Sequence, residues 1–199
     1  MHKKIITINN DKDYKKLLRR LWLYKRYRFT KFKLINNIKE PNIDYLEKGL
    51  NIKKRKERIT YVFDTCCFLL DDFYHGENIC GFKDGKCVVQ RELKNGKCNG
   101  CCRVCLYVTD KGCPSKNVAC KLFNCDAVKE KYKTMDYKDL KLLKLLSIKN
   151  QLLIRSDYFT LREEALGDQF TYTGTAACIR MIYRLIRNYI KRKRKEKNK

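Results

Sequence analysis

Histidine occurs only twice in this 199-residue chain, at His2, far from any cysteine, and at His75, five residues before Cys80. Mixed Cys/His metal sites are thereby excluded except through His75, and so is a Cys–His nucleophilic pair at motif spacing. Two prolines and nine glycines leave little room for long structureless linkers. No glycine-rich phosphate cradle and no G-x-S-x-G elbow is present. Long apolar runs are missing as well. The start, MHKKIITINNDKDYKK, holds a three-residue apolar stretch, too short for a secretory h-region. The most apolar stretches, LKLLKLLSIKNQLLI and TAACIRMIYRLIRNYI, are broken by Lys or Arg every few residues, so no transmembrane segment is expected. These absences point to a cytoplasmic chain without an evident catalytic constellation.

Acidic residues are scarce too, 22 against 47 Lys and Arg, for a net charge of +25. The excess sits at the ends. Residues 1–60 carry 19 basic and 6 acidic side chains, residues 61–178 carry 18 and 15, and residues 179–199 carry 10 and 1. A chain rich in Lys, Asn, Ile and Tyr reflects in part an A/T-rich genome, which raises lysine without selection for charge. A hydrophobic content of 44% is that of a globular protein.

What is abundant is cysteine. Nine of the twelve lie between 80 and 125, four of them in the eight-residue stretch CNGCCRVC at 98–105. Helical periodicity vanishes over 74–125, and KDG at 83–85 and KNG at 94–96 are turn signals flanking KCVVQREL, which reads as a strand in a small β-hairpin. So little apolar content builds no core of its own, and a cross-link by metal or disulfide is the usual remedy. Three readings compete: a metal or iron–sulfur site, disulfides, and unligated thiols. Disulfides call for an export signal that is not seen, and chance would scatter the cysteines, so metal is the strongest of the three. Two abutting C-x-x-C units, Cys98/Cys101 and Cys102/Cys105, let paired thiolates converge on one ion. Cys87 adds a thiol beside the first turn, Cys113 one in the GCP turn, and Cys120 and Cys125 lie at the mouth of the next helix. Zinc and an iron–sulfur cluster both accept such thiolate sets.

Helices flank this insert, and the expected fold is mainly α with a cysteine-rich, irregular, metal-stabilised insert. Its parts are a basic N-terminal helical region (1–73), the insert (74–125) and a C-terminal helical region with a basic tail (126–199), packed as one unit. Residues 11–35 read as one helix capped by Asn10 or Asp11, and 57–73 as a buried helix with Cys66 on its apolar face. Asp136 is positioned to cap a helix through YKDLKLLKLLSIKNQLL, and Thr160 with Glu163 reads as a capping box.

CNGCC at 98–102 followed by GCPSKNVACKLFNC at 112–125 resembles the YkgJ-type cysteine-cluster family, described as zinc- or iron-chelating. The resemblance covers about 30 residues and implies Cys98, Cys101, Cys102, Cys113 and Cys120 as ligands. The family's earlier cysteine falls on Asn95 here, so Cys87, Cys105 or Cys125 has to complete the set. It implies no particular reaction.

The ends admit three roles. RRLWLYKRYRF interleaves Arg19, Arg20, Arg26 and Arg28 with rings such as Trp22, a pattern suited to nucleic acid. The last helix, with isoleucines on one side and a polybasic tail, suits an anionic membrane surface. The plainest role is packing helices with solvated lysines. For function, a metal-binding cysteine-cluster protein that contacts nucleic acid through its basic ends is set against a redox or metal-handling protein whose thiols are the working part.

Overall fold

The computed structural model describes residues 2–74, 80–81, 83, 86–87, 105–109, 113, 115–171 and 174–197. The chain is mainly helical with one small parallel sheet. Strand β1 (His2–Ile8) leads into helix α1 (Asp11–Tyr24) and then strand β2 (Thr30–Asn36). The strands pair in parallel from His2 opposite Thr30 to Ile8 opposite Asn36. Parallel neighbours require a crossover, and α1 supplies it. Its start is fixed by Asn10, whose side chain accepts the Asp13 N–H at 3.0 Å, while the Asp13 carboxylate accepts the Asn9 N–H at 3.1 Å. Tyr14, Leu17, Leu18, Leu21 and Tyr24 form its buried side.

The expected single helix over 11–35 is therefore corrected. It stops at Tyr24, and TKFKLIN switches to a period of two, with Phe32 and Leu34 buried and Lys31, Lys33 and Ile35 outward. The outer edge of β2 is sealed by side chains rather than by a third strand. From helix α2 (Asn42–Asn51), Asn51 accepts the Phe32 N–H and donates to the Phe32 carbonyl, both at 2.9 Å. Glu47 accepts the Leu34 N–H at 2.6 Å, and the Lys53 ammonium donates to the Thr30 carbonyl at 2.6 Å. Sheet edges left open invite foreign strands, and here β2 is closed.

Helix α3 (Arg55–Phe73) crosses behind this unit with Ile59, Val62, Phe63, Cys66 and Leu70 buried, as the spacing predicts. Cys66 is fully buried and Cys67 nearly so, and burial pushes both thiols up, Cys67 to about 12. The short helices α4 (Val118–Leu122) and α5 (Asp126–Lys131) follow, and Val118 joins the same core.

The long helix expected after Asp136 is also corrected. Asp136 starts only a turn, its carbonyl accepting the Asp139 N–H at 2.9 Å. A 3₁₀ turn at Lys141–Leu145 and a separate helix α6 (Ile148–Ser156), capped by Ser147, replace it. Leu142, Leu143 and Leu145 are at most 2% exposed and pack toward α1, α2 and α3. One α-helical face cannot present nearly consecutive leucines to three partners, whereas a tight turn distributes them. Helices α7 (Arg162–Thr171) and α8 (Gly174–Lys197) complete the chain. Two hydrogen bonds of 2.6 Å join Arg162 to Asp64 and tie α7 to α3. Of the expected hairpin, the described residues include the Lys83–Lys86 antiparallel bridge. Among the described residues no helix is long and apolar enough to cross a membrane.

The edge seal makes a prediction. Replacing Asn51 by Ala strips both Phe32 backbone groups of their partner and is expected to lower the unfolding free energy by about 1–3 kcal/mol. Urea denaturation measures it, and an unchanged midpoint would show that water substitutes for the amide.

Candidate functional site

The thiol region is held to the helical body by a buried polar network. Asn117, 1% exposed, caps α4 by accepting the Cys120 N–H at 3.3 Å. Its amide nitrogen donates to the Asp157 carbonyl at 2.9 Å and to the Thr160 hydroxyl at 2.6 Å. Ser115 donates to the Thr160 carbonyl at 3.3 Å, and the Tyr107 hydroxyl donates to Glu164 at 3.1 Å. Lys121 pairs with Asp71 of α3. The expected capping box is shifted by one residue as a result. Thr160 is committed to the network, and Glu164, not Glu163, accepts the first free amide, Leu161 N–H, at 3.1 Å.

Within this frame the loop 157–160 bends back over Cys120. Phe159 takes a left-handed backbone, φ 61°, and its N–H donates to Cys120 Sγ at 3.4 Å. A non-glycine residue held there costs about 1–3 kcal/mol and persists only where neighbours enforce it. Burial pushes the Cys120 thiol up to about 11, against the pull of the Phe159 N–H and the Ser115 hydroxyl, and the nearby Cys113 and Cys105 add to the rise. Cys105 and Cys113 thus bear on Cys120 across sequence separations of 15 and 7 residues. Cys105 and Cys87 are each 4% exposed, whereas Cys113 is exposed. Cys125 occupies the N-cap of α5 as the sequence suggests, while Cys120 lies inside its own short helix rather than at that mouth. Cys98, Cys101 and Cys102 fall outside the described residues. Among the described residues, no three Cys, His, Asp or Glu side chains form a group able to hold a metal ion.

The same loop receives an arginine from α8. Arg184 lies 2.5 Å from Asp168 and 3.6 Å from Asp157, both carboxylates only 3% exposed. Burial, then the Asp168 charge, pushes the Asp157 carboxyl up to about 7, opposed by Arg184 and Thr160. Asp157 Oδ2 has no hydrogen-bond partner among the described residues. Neither this ion-paired cluster nor the left-handed Phe159 was foreseen from the sequence.

The second candidate is the basic surface around α1. Arg19, Arg20, Trp22, Arg26 and Arg28 are all exposed. The Arg26 guanidinium stands 5.0 Å from the centre of the Trp22 ring, which is 53% exposed. Phe29 is 79% exposed in the turn before β2. The neighbouring basic residue Lys25 serves the fold. It donates to the Leu146 carbonyl at 2.6 Å, and burial, then Arg58 and Arg26, pushes its ammonium down to about 8. Tyr24 is buried as well. No family model, curated protein or solved structure matches the chain.

The Asp157 geometry fixes the sign of a pH effect. A carboxyl raised in the folded state contributes stability that is fully present at low pH. That contribution is lost as pH climbs from the ordinary carboxylate range, about 4, toward the raised value. Asp157→Asn is therefore expected to gain stability relative to the parent between about pH 5 and pH 8 in urea unfolding. A constant difference across that range would contradict the burial of a titrating carboxyl here.

Proposed function

We propose that this chain is a metal-binding cysteine-cluster protein that takes hold of single-stranded nucleic acid through the surface around α1. The observation that carries the nucleic-acid reading is the half-exposed Trp22 ring with the Arg26 guanidinium over it, set among exposed Arg19, Arg20 and Arg28 and the open Phe29 ring. Bases stack on exposed rings and on guanidinium planes, and neighbouring arginines take the phosphates. Zinc or an iron–sulfur cluster is the proposed resident group, with ligands drawn from Cys87, Cys98, Cys101, Cys102, Cys105, Cys113, Cys120 and Cys125. The support is chemical. Cys105 and Cys113 both lie close enough to bear on Cys120, and a backbone N–H is already directed at Cys120 Sγ, the kind of outer contact that orients a thiolate ligand.

Binding of an oligonucleotide is expected to weaken steeply with salt, with a log–log slope of about −0.7 per phosphate neutralised on a single strand. Glutamine at Arg19, Arg20, Arg26 and Arg28 is expected to flatten the slope, and Trp22→Ala to weaken binding by about 1–3 kcal/mol. Fluorescence anisotropy over a salt series measures both, and an unaltered slope in the quadruple variant would remove α1 from the interface. For the ligands, Cys101→Ser and Cys120→Ser are each expected to lower bound metal, while Cys66→Ser leaves it intact because that thiol is buried in the helical core. Equal loss from Cys66→Ser would contradict the ligand set.

A further inference from the structure

In helix α8 an arginine turns inward while hydrocarbon lies outward, the inverse of a core-packing helix. Arg184 enters the body to meet Asp168 and Asp157. The opposite side carries Ile179, Ile182, Tyr183, Ile186, Tyr189 and Ile190, at spacings of three and four, each 44% to 63% exposed. No described part of the chain covers them to the depth of a core residue. The helix then runs on to Lys197, and between 191 and 199 the sequence has seven basic residues and one acidic.

Three kinds of partner can be compared on these features. A nucleic acid would use the basic end and could stack bases on Tyr183 and Tyr189, but it has no use for the four exposed isoleucines, since phosphates and sugars call for charge and hydrogen bonds. A second copy would bring two strongly basic ends of like sign together if parallel. Its apolar stretch, 179–190, is also shorter than the three or four heptads a coiled coil needs. An anionic lipid surface matches both halves. Isoleucines enter the acyl boundary, tyrosines sit at headgroup level, and the basic end meets the negative surface potential.

We propose that α8 lies flat in the surface of an anionic lipid bilayer, with its isoleucine–tyrosine side buried below the headgroups and its basic end against them. The Arg184 ion pairs then hold the helical body at the membrane, because the side of α8 that meets the body is not the side that meets lipid. This proposal is independent of the reading of α1, which lies elsewhere in the chain.

The test is flotation of the full chain with vesicles of phosphatidylcholine alone or mixed with phosphatidylserine, over a salt series. Binding to the mixed vesicles is expected, and much weaker binding to phosphatidylcholine alone. Glutamine at both Ile182 and Ile186 is expected to cost at least about tenfold in affinity at every salt concentration. Glutamine at Lys191, Lys193, Arg194 and Lys197 is expected to abolish the preference for phosphatidylserine. Because these side chains are exposed, circular dichroism of the variants is expected to match the parent. Ile186→Trp in a Trp22→Phe background gives a second readout, its emission moving to the blue when mixed vesicles are added. The proposal is overturned by absence of binding to mixed vesicles at low salt, or by binding that the isoleucine substitutions leave unchanged. It is overturned equally if sedimentation shows a dimer that those substitutions dissociate, which gives the face to a second copy. A loss of oligonucleotide binding as large as the loss of vesicle binding would give it to nucleic acid.

Discussion

The hydrogen bonds of one buried amide, Asn117, set the geometry around the thiols. Its oxygen starts the helix that bears Cys120, and its nitrogen grips the loop between α6 and α7 at Asp157 and Thr160. With both ends held, the loop closes through Phe159 in a backbone conformation that a bulky residue adopts only under constraint. That closure directs the Phe159 N–H at sulfur and leaves Asp157 facing Arg184. A buried amide loses roughly 1–3 kcal/mol for each partner left unsatisfied, so no other residue type fits here without cost.

The charge of +25 divides into two populations with different work. Several cations close carbonyls that the helices and strands leave open. Lys25 donates to Leu146, Lys53 to Thr30, Arg55 to Gln169 and Arg58 to Ile52. Burial pushes Lys25, Lys53 and Arg58 down, so these groups sit where their charge is costly and their hydrogen bonds are needed. Other cations stay at the surface, among them Arg19, Arg20, Arg26 and Arg28 and those of the basic end of α8, and are able to meet a polyanion. Net charge by itself does not separate the two populations, whereas hydrogen-bond partners do.

Local signals in the sequence carried over well, and distant ones did not. The Asn10 cap and the buried stripe of α3 with Cys66 on it both follow from residues within a few turns of one another. The sheet was missed because His2 pairs with Thr30 across a whole helix, and a parallel pair leaves no turn signature. The period-two alternation of TKFKLIN was present but was absorbed into a longer helical run. The leucines at 142–146 looked helical because pattern alone does not say that three helices converge on them. The Thr160 cap failed for the same reason: its hydroxyl is bound by Asn117, 43 residues away.

The central claim is that the cysteines between 80 and 125 serve a resident metal that the Asn117 framework holds to the helical body. Purification without oxygen, followed by metal analysis and a visible spectrum of the native chain, addresses it most directly. The account predicts stoichiometric zinc in a colourless protein, or iron with inorganic sulfide and charge-transfer absorption in the visible. A folded, metal-free chain whose clustered thiols all react at once with a thiol reagent would contradict it.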